Sequence, residues 1–112
     1  MAPMSSIPEI DADELALRLA GGAFLLDVRE PAEYSEAHVP GAVLVPLGEL
    51  AGRVDEMPDD AAELMVICRS GARSLRAAEF LATTGRGAVN VAGGTLGWIE
   101  SGREVVAGPE RG

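Results

Sequence analysis

Four apolar residues in an unbroken run, Leu64-Met65-Val66-Ile67, lead straight into Cys68. The chain then turns through Arg69-Ser70-Gly71-Ala72 into a helical pattern. A strand with one wet face alternates apolar and polar residues, whereas an unbroken apolar strand is covered on both sides, as in a parallel sheet packed between helices. A second such run, Ala23 to Val28, is continuously apolar until Asp27. Helix-like and strand-like segments alternate along the rest of the chain. The expectation is an α/β layer fold with a central, mainly parallel sheet.

Local signals mark the pieces. Asp11 is placed to cap a helix from Ala12 to Ala20, with Glu14 in the capping-box position and Gly21-Gly22 as the stop. Pro31 opens a short helix through Glu36. Pro40-Gly41 is a turn, followed by a short strand over Ala42 to Val45. Leu47 to Val54 reads as a helix burying Leu47, Leu50 and Val54, and Pro58-Asp59-Asp60 as a loop. After the strand Glu63 to Cys68, a helix over Arg73 to Thr84 should turn Leu75, Ala78 and Leu81 or Ala82 inward. Gly85 and Gly87 break it. A last strand spans Ala88 to Val91, and a short helix around Leu96 to Ser101 follows Gly93-Gly94. The 112 residues suit one domain, ordered over about 7–107 with frayed ends.

Composition excludes several roles. A formal net charge of −9 disfavours nucleic acid and anionic membrane as partners. No apolar run approaches the ~20 residues of a membrane span. Residues 1–10 have neither a basic start nor an apolar stretch, so a cytoplasmic location is expected. One cysteine cannot form an internal disulfide. One cysteine and one histidine far apart give no metal-ligand spacing, and no cofactor is called for. Every one of the nine basic residues is arginine, and Arg69, Arg73 and Arg76 fall within eight positions. A local basic spot on an acidic chain points to a small anionic ligand held by contact.

Ligands of open α/β sheets bind beyond the carboxyl ends of strands, which is where this pattern puts Cys68. The amides of the following turn can curl into an anion-binding concavity at a helix N-terminus, and Gly71 is free to take a positive φ. Lowering a thiol from ~8.5 to about 6.5 takes roughly 2.7 kcal/mol. A helix terminus supplies about 0.3–1 kcal/mol, whereas each hydrogen bond to a charged group supplies ~1.5–3 kcal/mol. Two or three loop amides therefore suffice, and the dipole alone does not. Taken alone, a cysteine after an apolar strand reads as packing. The arginine-flanked small-residue turn argues for a reactive one.

The stretch Cys68 to Ser74, CRSGARS, resembles the active-site loop of single-domain rhodaneses. The resemblance spans nearly the whole chain. It includes Asp27-Val28-Arg29-Glu30 with Pro31, Glu33 and Tyr34, then His38-Val39-Pro40-Gly41-Ala42. It continues with Gly93-Gly94, Trp98, Gly102 and Val105. Ala37, Thr95 and Glu104 depart from the pattern, and none of the three is expected to touch the loop. The resemblance implies the rhodanese-like three-layer fold. It also implies a sulfurtransferase in which Cys68 takes sulfur from a small anionic donor such as thiosulfate and passes it, as a persulfide, to a thiol or protein acceptor. Arg69, Ser70, Gly71, Ala72 and Arg73 would bind the donor. Two readings of Arg73 stand side by side: donor binding, and an ion pair to a carboxylate.

Plainer roles are expected elsewhere: a bracing network for Asp27, Arg29 and Glu30, a backbone hydrogen bond for His38, and core packing for Trp98. One rival is a persulfide carrier or partner-binding module with the same loop. Another is a phosphatase or arsenate reductase. Tyrosine-type phosphatase loops space Cys-x5-Arg, whereas four residues separate Cys68 from Arg73, a shorter loop that suits sulfur better than a tetrahedral oxyanion.

Overall fold

The structure, a computed structural model, describes residues 6–58 and 63–112. Its elements are β1 (Glu9–Ile10), α1 (Ala12–Ala20), β2 (Phe24–Asp27), α2 (Pro31–Glu36), β3 (Val43–Leu44), β4 (Leu64–Ile67), α3 (Ala72–Thr83), β5 (Ala88–Val91) and α4 (Gly94–Glu100). The local signals explain several boundaries. The Asp11 carboxylate accepts the Glu14 amide at 2.9 Å to start α1. A reciprocal pair of bonds between Glu30 and Glu33, with Pro31 at the first turn, starts α2.

All five strands are parallel, in the order β1-β5-β4-β2-β3. Helices cover both faces, so the fold is the expected three-layer α/β arrangement. Strand parity then decides what faces what. Leu64 and Val66 pack with Ala77, Ala78 and Leu81 of α3, and Cys68 continues that set. Met65 and Ile67 face the opposite layer with Leu15, Tyr34 and Trp98. Cys68 thus lies on the α3 side of the sheet, at the end of a central strand.

Three details differ from the sequence reading. The segment expected to be a helix over Leu47 to Val54 forms 3₁₀ turns at Leu47–Gly52 and Val54–Glu56, because Gly48 and Gly52 would each cost an α-helix about 0.8–1 kcal/mol. Leu50 is buried there, with Leu47 and Val54 packed against the same cluster. The inward stripe of α3 is Ser74, Ala77, Ala78 and Leu81, while Leu75 is half-buried and Ala82 exposed. Strand β1 carries no pattern long enough to predict, yet it pairs Glu9 with Asn90 and Ile10 with Val91. The loop expected at Pro58-Asp59-Asp60 lies largely outside the described residues. Near the C-terminus, Val106 exchanges two backbone hydrogen bonds with His38, Gly108 donates to Ser35 of α2, and Gly41 donates to Arg111.

Beneath the C-terminal end of β2 lies a buried ion pair. Asp27 is fully buried and Arg29 nearly so. The guanidinium donates to both Asp27 oxygens at 2.8–3.2 Å, and to the carbonyls of Ala37 at 2.9 Å and Glu33 at 3.3 Å. Breaking one member of such a pair leaves the other charge buried and unpaired. Asp27→Ala should therefore cost about 3–5 kcal/mol, read as a lower urea midpoint with an unchanged slope.

Candidate active site

Between β4 and α3 the chain needs a tight reversal, and Gly71 provides it at φ +111°. Its amide donates to Cys68 Sγ at 3.1 Å, and the Ser74 hydroxyl lies 3.3 Å from the same sulfur. Cys68 is only 1% exposed. Burial pushes the thiol up. Hydrogen bonds from the Ser74 hydroxyl and from the backbone amides of Ser74, Gly71 and Ser70 outweigh it, so the thiol titrates below its ordinary value. The concavity read from the sequence is therefore formed, and a side chain, Ser74, completes it.

The loop is held from behind by the first turn of α4. The amide of Thr95 donates to the Cys68 carbonyl at 2.9 Å, its hydroxyl donates to the same oxygen at 3.0 Å, and the Leu96 amide donates to the Arg69 carbonyl at 3.1 Å. Thr95 therefore does touch the loop, against expectation. Its hydroxyl supplies a bond that an apolar residue at this position would lack. Packing is closest at two glycines. A Cβ on Gly71 would run into the Ala92 carbonyl oxygen, and one on Gly94 into the Arg69 carbonyl.

The two loop arginines separate in role. Arg73 forms a bidentate pair with Glu33 of α2, at 2.7 and 2.9 Å, which is the structural alternative raised from sequence. Arg69 is exposed and makes no ion pair among the described residues. It borders a cleft with Arg29, Glu33, Leu96 and Ile99. Ser70 and Ala72 are exposed at the mouth, and Gly71 is buried.

Two buried polar residues escaped the sequence reading. Ser74 follows the loop by one helical turn, and Asn90 interrupts the apolar strand Ala88–Val91. Ser74 Oγ lies 2.6 Å from Asn90 Oδ1, and the Asn90 amide donates to the Gly71 carbonyl at 3.2 Å. An asparagine inside an apolar strand was the available signal, since a buried amide must find partners. His38 and Trp98 play the plain parts expected of them. His38 donates from Nδ1 to the Tyr34 carbonyl at 2.8 Å and stacks on the Tyr34 ring. Trp98 donates to the Glu104 carbonyl at 2.8 Å. Neither contributes a hydrogen bond to Cys68 among the described residues.

A parallel sheet with a cradled cysteine at the end of its central strand is a frame for cysteine chemistry, and comparison gives the family. The Rhodanese-like domain model matches residues 11–101, and the chain belongs to that family. It is 38% identical over 104 residues to a sulfurtransferase of Allochromatium vinosum, covering 90% of this chain and 96% of that one. It is 39% identical over 70 residues to the thiosulfate sulfurtransferase PspE of Escherichia coli, covering 62% of this chain and 67% of that one. A solved rhodanese-related protein from Thermoplasma volcanium superposes with a TM-score of 0.83 at 35% identity, over 88% of this chain and 97% of that one.

The Glu33–Arg73 pair makes a pH-dependent contribution. Hydrogen bonding to the Arg73 guanidinium holds the Glu33 carboxyl down to about 2, against the cost of burial and with help from the Glu30 amide and the charges of Arg73 and Arg29. A carboxyl depressed by folding stabilises the fold above its unfolded value of ~4.3 and loses that contribution as pH falls toward the folded value. With the pair about a third exposed, the contribution is of order 1–2 kcal/mol. Glu33→Gln should thus be less stable than the native chain at pH 7, and the gap should close between about pH 4.5 and pH 2 in denaturation series.

Proposed function

We propose that this protein is a sulfurtransferase that carries sulfur as a persulfide on Cys68, with thiosulfate or a related sulfane-sulfur anion as donor. The observation that carries the reading is a buried sulfur that accepts from the Gly71 amide and lies within reach of the Ser74 hydroxyl, in a loop that also carries the exposed Arg69. The Cys68 thiolate attacks the outer sulfur of thiosulfate. A new S–S bond forms, the donor's own S–S bond breaks, and sulfite leaves with the electron pair. The terminal sulfur of the persulfide keeps the negative charge, which the loop amides are placed to stabilise. An acceptor nucleophile, either a thiol or cyanide, then attacks that terminal sulfur and returns the thiolate. The attack needs the thiolate, which the lowered thiol of Cys68 supplies more readily than an ordinary cysteine does.

In this reading the amides of Ser70, Gly71 and Ala72 cradle the anion, Arg69 binds the sulfonate end of the donor, and Arg73 fixes the loop through Glu33. The sulfurtransferase names of the relatives support the class of reaction. A reducing, cytoplasmic setting suits a free thiol nucleophile and is part of the proposal.

Intact mass after incubation with thiosulfate tests it. The native chain should gain one sulfur and lose it again to cyanide, and Cys68→Ser should gain none. No adduct from thiosulfate, with an adduct formed from a protein persulfide, would make the chain a carrier within a relay. A separate expectation concerns the donor site. Arg69→Ala should raise KM for thiosulfate about tenfold with the melting temperature unchanged. An unchanged KM would assign the anion to the amides alone.

A further inference from the structure

A hydroxyl has one proton to give, and Ser74 Oγ has two acceptors in reach: Cys68 Sγ at 3.3 Å and Asn90 Oδ1 at 2.6 Å. The Ser74 contribution to a stabilised thiolate requires that proton to lie on sulfur. Whether it does depends on which end of the Asn90 amide faces Ser74, and the other end decides that. Asn90 Nδ2 reaches the Glu9 carboxylate at 2.7 Å and the Gly71 carbonyl at 3.2 Å. Both are acceptors only, so they hold the NH₂ group and leave the amide oxygen toward Ser74. That oxygen, the nearer of the two acceptors, competes with the sulfur for the Ser74 proton, and whenever it takes the proton the hydroxyl presents a lone pair to Cys68. A neutral thiol can donate to that lone pair, whereas a thiolate finds no donor there.

We infer that Glu9 and Asn90 are positioning residues that set the direction of the Ser74 hydroxyl and thereby limit its support of the Cys68 thiolate. The register supports a dedicated contact: Glu9 on the edge strand β1 stands opposite Asn90 on β5, which places both side chains on one face. Releasing Nδ2 from Glu9 leaves only the longer bond to the Gly71 carbonyl, 3.2 Å, to hold the amide, so it turns over more readily. Asn90 then donates to Ser74 Oγ, and Ser74 donates to sulfur. The chain runs from the exposed edge of the sheet to the buried nucleophile in three hydrogen bonds, so a change at the surface reaches Cys68 from the far side of β5. The inference rests on Cys68 being the nucleophile of the proposed function.

Its test reads the thiol directly, as the pH profile of Cys68 alkylation by iodoacetamide, which does not depend on sulfur transfer. Failure of the inference and failure of the sulfurtransferase reading are therefore separable. The other charged groups around Cys68 are common to every variant: Arg69 in the loop, Arg73 of α3 with its partner Glu33 of α2, and the Asp27–Arg29 pair at the end of β2. Glu9 is exposed, so its truncation leaves the fold intact. Glu9→Ala should lower the alkylation midpoint by about one pH unit. Glu9→Gln, whose amide oxygen still accepts from Asn90, should stay near the native midpoint. In a Ser74→Ala background the Glu9→Ala shift should vanish. Equal shifts for Glu9→Ala and Glu9→Gln, or a shift that survives loss of Ser74, would reduce Glu9 to a distant charge and overturn the inference. An unmoved midpoint in Glu9→Ala would overturn it too.

Discussion

The guanidinium of Arg29 holds three pieces of chain that have no other reason to meet. It is buried against Asp27 at the end of β2, and it reaches the carbonyls of Glu33 within the short helix α2 and of Ala37 at its C-cap. A charge taken out of water costs several kcal/mol unless its hydrogen bonds are filled, and here they are filled by groups that fix α2 against the sheet. Once α2 is fixed, Glu33 stands where Arg73 can grip it with both nitrogens. Arg73 belongs to the first turn of α3, so the loop from Cys68 is anchored at its far end by a contact that begins at β2. The near end is anchored by the sheet itself.

At the sulfur, two opposing effects meet. The site is dry, which raises the thiol, and hydrogen bonds directed at the sulfur lower it. Dryness also strengthens each of those hydrogen bonds. A nucleophile in such a place is set by the number and direction of a few protons and not by the surrounding net charge, which in this chain is strongly negative. That is consistent with an acidic protein acting on an anion.

Much of this was legible in the chain because it is local. The unbroken run Leu64–Ile67, the caps at Asp11 and Pro31 and the Gly71 turn depend on neighbours within a few residues, and they fall where the sequence puts them. The concavity after Cys68 could be read because its donors are backbone amides of consecutive residues. Contacts across the sheet were not legible. Ser74 meets Asn90 only because β5 lies beside β4, and Glu9 meets Asn90 only because a two-residue strand joins the edge. Thr95 looked like a departure from a pattern and turned out to hold the Cys68 carbonyl, since its partner is 27 residues away. The 3₁₀ turns after β3 show the converse. There an apolar spacing suggested a helix, and two glycines decided its geometry.

The paired glycines have a further consequence. Gly71 sits against the Ala92 carbonyl and Gly94 against the Arg69 carbonyl, so each of the two segments intrudes on the backbone of the other. Neither can be lengthened, shortened or swapped without the other. For anyone grafting a new chemistry onto this scaffold, residues 68–74 and 92–96 form one cassette to be exchanged whole, and a library that varies only the first would sample misfitted backbones.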